Sequence, residues 1–156
     1  MGEIYLTKEG YERLTEELAV LKTVKRRKIS KEIEEARAHG DISENAEYDA
    51  AKEAQAVNER KINELESNLS RARVINKENI PKGEVAVGTI VKIKDLDSQE
   101  ETEYALVSEL EADYKQNKIS ITSPIGKGLI GHKENDIVEI NVPAGTLKYK
   151  IFKISR

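Results

Sequence analysis

Apolar side chains at Tyr11, Leu14, Leu18 and Leu21 fall three and four residues apart, the spacing of a stripe along one side of an α-helix. Thr7, just ahead of them, is the expected N-cap. The stripe passes over Lys25 and resumes at Ile29, Ile33 and Ala36, so the strict seven-residue repeat relaxes in mid-run. No glycine or proline interrupts Tyr11 to His39. A second run carries Tyr48, Ala51, Gln55, Asn58, Ile62, Leu65, Leu69 and Ala72, six of the eight apolar or small. Two long helices joined by a few residues around Gly40 must be antiparallel neighbours, so this part reads as a coiled-coil hairpin. At 1.5 Å per residue each arm would run roughly 40 to 45 Å. Its seam is rich in leucine near the base and thins to Ala36, Tyr48, Ala50 and Ala51 near the tip, small residues that keep that end slender.

The pattern changes at NKENIPKGEVAVG, where Pro81 and two glycines end the helical spacing. Strand signals follow at 89–96, 103–110, 118–123, 136–142 and 147–154. The last alternates Leu147, Tyr149, Ile151 and Phe152 with lysines, after a PAGT turn. SPIGKGLIGHK, between the third and fourth, suits a short helix. The expected class is α+β: a hairpin over 1–76 with its tip near 39–44, a linker over 77–88, and a mostly antiparallel sheet domain over 89–156.

Composition fits a long solvated helical element beside a small core. Charged residues make up 35% of the 156, aromatics only 4%, and Trp and Cys are absent. Without cysteine, disulfides and thiolate metal sites are excluded. The N-terminus is charged and lacks an apolar stretch of the kind that directs secretion. No run approaches the roughly 18 apolar residues of a membrane span, so no membrane partner and a cytoplasmic location are expected. The net charge of −3 argues against a general nucleic-acid binder. Only KTVKRRKISK, Lys22 to Lys31, forms a basic strip, and it is expected to be a solvated face.

The tip holds the chemistry. HGDISENAEYDAAKEAQ places Asp41, Glu44, Glu47 and Asp49 close together. One reading is structural: Gly40 ends the first helix, Asp41 caps the second, and Glu44 reaches back in a capping box. The other is ligation, since exposed carboxylates present oxygen to a hard cation such as Mg²⁺. Two ligands make only part of a site, to be completed by another molecule. The readings are compatible, since different oxygens of the same groups can serve each.

GDISENAEYDAAKEAQ and ADYKQNKISITSPIGKGLIGHKENDIVEI resemble the bacterial Gre transcript cleavage factors, from Thr7 to the final strand. The resemblance implies a coiled coil that enters the secondary channel of bacterial RNA polymerase and an FK506-binding-protein-like (FKBP-like) domain that docks outside. It implies that Asp41 and Glu44 act catalytically inside the polymerase active site, helping to bind its second Mg²⁺ and position the attacking water. Backtracked RNA is then cut by the polymerase itself, and the factor is no enzyme. No cofactor of its own is expected beyond this shared Mg²⁺, and the chain is expected to be a monomer. Arg37 and Lys52 match a basic patch facing the 3′ segment of the nascent RNA; the alternative is surface ion pairing with Glu34, Glu35 or Glu53. Tyr48 is expected to pack in the seam. Ser123 and Pro124 keep the pattern of polymerase docking, whereas Gly126, Lys127 and Gly128 depart from it, leaving Lys127 without an assigned role.

Other motifs are decoys. GKGLIG fits GxGxxG but lacks a βαβ unit, and His39 and His132 lie in different domains. Two further function classes are open: a channel-binding inhibitor without cleavage activity, and a prolyl isomerase suggested by the second domain's fold.

Overall fold

The computed structural model describes residues 2–41 and 45–156. The chain divides into two compact units, Glu9–Ala72 and a second assembled from Glu3–Lys8 and Arg73–Arg156. No helix among the described residues is long and apolar enough to cross a membrane.

The first unit is the expected hairpin. Helix α1 (Lys8–Val20) continues through one π-helical turn, Leu21–Lys25, into α2 (Arg26–Ala38), and α3 (Ala46–Ser70) returns. The 25 residues of α3 span about 37 Å. The apolar stripes face each other: Leu14, Ile29 and Ala36 are buried on the outgoing arm and Ala51, Asn58 and Ile62 on the returning one, with Leu18, Leu21, Leu65 and Leu69 half-buried. Cross-arm ion pairs confirm the antiparallel course, because Lys22 meets Glu66 at 3.0 Å while Arg26, further out, meets the earlier Glu59. Within the basic strip, Lys25, Arg27 and Lys28 are exposed, as expected of a solvated face.

The relaxed repeat has a structural cause. Leu14, Leu21, Ile29 and Ala36 stand seven, eight and seven residues apart. An unbroken α-helix would rotate Ile29 off the seam by about 100°, the angle of one residue. The wide turn at Leu21–Lys25 lies in the longer step and takes up the extra residue.

The second unit contains a two-stranded sheet of β1 (Ile4–Leu6) and β2 (Ala72–Val74), which the strand signals did not reveal. Its main sheet has five strands, β3 (Ile90–Asp95), β4 (Glu101–Val107), β5 (Lys118–Ser120), β6 (Ile137–Val142) and β7 (Gly145–Ser155), in the order β5-β4-β3-β7-β6. All five expected strands are present, but the sheet is mixed, because β5 pairs in parallel with β4 through Leu106 and Ile119. Between them the chain makes two 3₁₀ turns, a crossover and not a hairpin, and a crossover is what parallel pairing requires. Inward-facing Val91, Ile93, Leu106, Ile119, Val138, Ile140 and Ile151 form the core with Leu129 of the short helix α4 (Pro124–Leu129). Phe152, expected to alternate inward, is instead the extra residue of a bulge on β7 and points outward beside Lys94 and Lys150.

Residues 77–88, whose proline and glycines read as a linker, fold within this second unit. Ile80 and Val85 between those breakers are buried, Val85 donates its N–H to His132 at 2.9 Å, and Gly88 donates to Leu106 at 2.8 Å.

Candidate functional site

The hairpin tip is built by a helix stop and a helix start. Ala38 ends α2, His39 caps it, and Gly40 follows at φ +133°, a backbone region costly for any residue with a Cβ. Asp41 is exposed immediately beyond. The second helix begins later than the capping-box reading expects: α3 starts at Ala46, and its N-cap is Asn45, whose Oδ1 accepts the Tyr48 N–H at 3.1 Å. Asp41 is therefore not the cap of α3, because four residues separate it from Ala46. Its expected capping partner Glu44 lies outside the described residues, as does any arrangement of the Asp41–Glu44 pair.

Asn45 does a second job that the sequence reading missed. Its Nδ2 donates to the Ala36 carbonyl in the last turn of α2, so one amide starts α3 and ties it to the other arm. The signal was present, since Asn ahead of A-E-Y is among the best N-cap residues.

The tip side chains line an open polar hollow formed by His39, Asp41, Asn45, Ala46 and Glu47. His39 Nδ1 stands 3.3 Å from Glu47 Oε2. The acidic first turn of α3, Glu47 and Asp49, also suits the positive end of the helix dipole. Among the described residues no three His, Asp or Glu side chains come together as a metal site. Asp41, an exposed residue, carries a carboxylate, the donor type Mg²⁺ takes.

Behind the tip the two expected cations stand on opposite arms. The Arg37 guanidinium lies 5.9 Å from the centroid of the half-buried Tyr48 ring, a cation–π contact across the hairpin. Lys52 donates to Gln55 at 3.0 Å. Neither forms an ion pair with Glu34, Glu35 or Glu53; Glu35 and Glu53 pair instead with Lys31 and Arg60. Tyr48 packs in the seam, as its spacing predicts.

In the second unit Ser123 is the N-cap of α4, accepting the Gly126 N–H at 3.1 Å and donating to the Ser120 carbonyl at 2.6 Å, and Pro124 occupies the first turn, exposed. Two glycines of GKGLIG are explained by packing, since a Cβ at Gly126 would stand 2.1 Å from the Ser120 carbonyl oxygen and one at Gly128 2.6 Å from the Ile140 side chain, and the third, Gly131, by its φ of +84°. Lys127 is exposed on α4. His39 and His132 each face a carboxylate of their own unit, Glu47 and Asp136.

Residues 4–74 match the family model for the N-terminal part of transcription elongation factors, and residues 80–156 match the GreA/GreB C-terminal model. The transcription elongation factor GreA of Pelobacter propionicus is 53% identical over 97% of this chain and 96% of its own length, and that of Chlorobium phaeobacteroides is 51% identical with the same coverage. Among solved structures, GreA factor homolog 1 of Thermus thermophilus is 31% identical over 99% of both chains, with a TM-score of 0.45. With both halves matched and half the residues shared along nearly its whole length, the chain belongs to the GreA/GreB family of transcription elongation factors.

Proposed function

We propose that this elongation factor acts inside bacterial RNA polymerase, its hairpin entering the secondary channel and its tip acids stimulating the polymerase's own cleavage of backtracked RNA. The observation that carries this reading is the placement of Asp41. It stands exposed, directly after the glycine that ends α2, at the end of a hairpin whose seam has narrowed to Ala36 and Ala51. A carboxylate so placed reaches into a confined site without bringing bulk with it.

In that site Asp41 and Glu44 would supply oxygens to the polymerase's second Mg²⁺ and would orient the attacking water; repulsion among the tip acids would favour accepting a cation. When bound, the ion supplies the charge stabilisation of two-metal phosphoryl chemistry. Arg37 and Lys52, which among the described residues form no ion pair with Glu34, Glu35 or Glu53, attract the phosphates of the RNA 3′ segment. The factor performs no turnover of its own. Docking outside the channel uses the turn at Ser123 and Pro124. Because the Ser123 hydroxyl is engaged in capping α4, the surface presented there is Pro124.

Stalled, backtracked complexes test the reading. Wild-type protein is expected to shorten the transcript, and Asp41→Asn or Glu44→Gln to abolish shortening while polymerase affinity stays nearly unchanged. Parallel loss of affinity refutes this division of roles. Blocked elongation without cleavage would mark an inhibitor, and peptide isomerisation without polymerase a prolyl isomerase.

A further inference from the structure

We propose that Asn58 is a positioning residue for the tip: by seating its amide on the wide turn of the opposite arm, it holds that turn in place and so fixes the direction in which the tip side chains face.

Asn58 occupies a seam position of α3 where the heptad pattern calls for leucine, and it is 3% exposed. Its Nδ2 donates to the Leu21 carbonyl at 3.1 Å, at the start of the π-helical turn. The helical ladder is irregular there, since the Arg26 N–H bonds to the Thr23 carbonyl. The Leu21 carbonyl, at the start of that turn, gains in Asn58 an amide donor from the opposite arm, a bond worth about 1 kcal/mol. Asn58 thus stabilises this location of the wide turn over others. Its Oδ1 has no hydrogen-bond partner among the described residues, so the amide is held at some expense to stability.

A buried asparagine in a coiled-coil seam commonly trades stability for a single register. Here the neighbouring contacts agree on one alignment. Glu59 takes Arg26 through two hydrogen bonds, at 3.0 and 2.7 Å, and Lys22 takes Glu66 at 3.0 Å, so one cross-arm pair stands within the wide turn and one directly after it. Toward the tip the seam offers little discrimination, because Ala36 and Ala51 fit several alignments almost equally well.

The geometric consequence is large. If the extra residue is absorbed elsewhere along the arm, the helix between the old and new positions turns by about 100° and shifts by about 1.5 Å. Cleavage chemistry tolerates neither, since reacting groups must be held to within a fraction of an ångström.

The chain has no cysteine, so spin labels can be placed at Glu34→Cys on α2 and Glu53→Cys on α3, both exposed. Pulsed electron resonance on this labelled protein should show one narrow distance. Adding Asn58→Leu, which removes the amide but keeps an apolar seam, should split or broaden the distance by several ångströms where the wide turn moves past Glu34, because the turn of about 100° swings an exposed label around the helix axis even though the axial shift is only about 1.5 Å. Helix content and melting temperature should be undiminished. In unlabelled protein, Asn58→Leu should lower the maximal cleavage rate at saturating factor about tenfold and leave the half-saturating concentration within about twofold. A single unshifted distance overturns the inference, as does a split distance with an undiminished maximal rate. The cleavage arm rests on the function proposed above; should wild-type protein stimulate no cleavage, that function fails and the distance measurement alone decides the role of Asn58.

Discussion

The carboxylate of Glu111 receives both the backbone N–H and the hydroxyl of Thr7, at 2.9 and 2.5 Å, across 104 residues of sequence. Glu111 is 4% exposed, so these are bonds made away from water. Glu111→Ala would remove both charge-assisted bonds to Thr7 and is expected to lower stability by about 2–3 kcal/mol. Urea unfolding followed by circular dichroism measures it; an unchanged midpoint would show that water replaces the carboxylate without loss.

Asn45 caps α3 and bonds to Ala36 on the other arm. Asn45→Ala is expected to cost roughly 1–2 kcal/mol, the usual range for losing an N-cap. Hydrogen exchange should localise the damage, with the Tyr48 amide losing protection while Ile62, deep in the seam, keeps it.

Gly126 sits against the Ser120 carbonyl with no room for a methyl group, and the neighbour is backbone and cannot swing away. Gly126→Ala is expected to destabilise by about 2–3 kcal/mol through overpacking. A melting curve should show the loss, and polymerase affinity should fall with it if the Ser123–Pro124 turn is the docking element.

Asp136 accepts the Lys133 backbone N–H at 2.9 Å and faces the His132 ring at 3.3 Å, and these hold its carboxyl below the ordinary range. A carboxyl depressed in the folded state contributes stability above its unfolded value, and that contribution is lost as pH falls through the folded one. Asp136→Asn should therefore melt lower than wild type at pH 7. The gap should narrow from about pH 4 downward and close below it. A gap independent of pH would show that the charge is irrelevant.

Arg37 and Lys52 are expected to act through phosphate attraction. Replacing both with alanine should weaken stimulated cleavage several-fold at low salt, with the deficit shrinking as salt rises, since screening removes the advantage from wild type. A deficit constant across salt would point to the lost Arg37–Tyr48 contact instead.

The sequence carried the hairpin because its signal is long and periodic: Leu14 through Ala36 and Ala51 through Leu69 repeat often enough to outweigh local propensity. The wide turn was visible only as a stripe that skipped past Lys25, since no residue type encodes a π-helical turn. β1 and β2 escaped notice because three residues such as Ile4–Leu6 are too few to alternate. The parallel β4–β5 pair depends on the path of the intervening chain, which pattern alone does not give. At the tip, Asp41 and Asn45 are N-cap residues of equal strength, so residue type alone does not say which of them starts α3.

The two outer strands of the main sheet bear on behaviour in a crowded cell. β5 is only three residues long and its Lys118 is already bridged to Asp113 as well as to β4, and β6 sets Glu139, paired with Lys148 at 3.8 Å, beside its exposed Ile137. A short edge and a charged one both discourage strand-by-strand stacking into aggregates. Such edges keep the sheet from recruiting copies of itself.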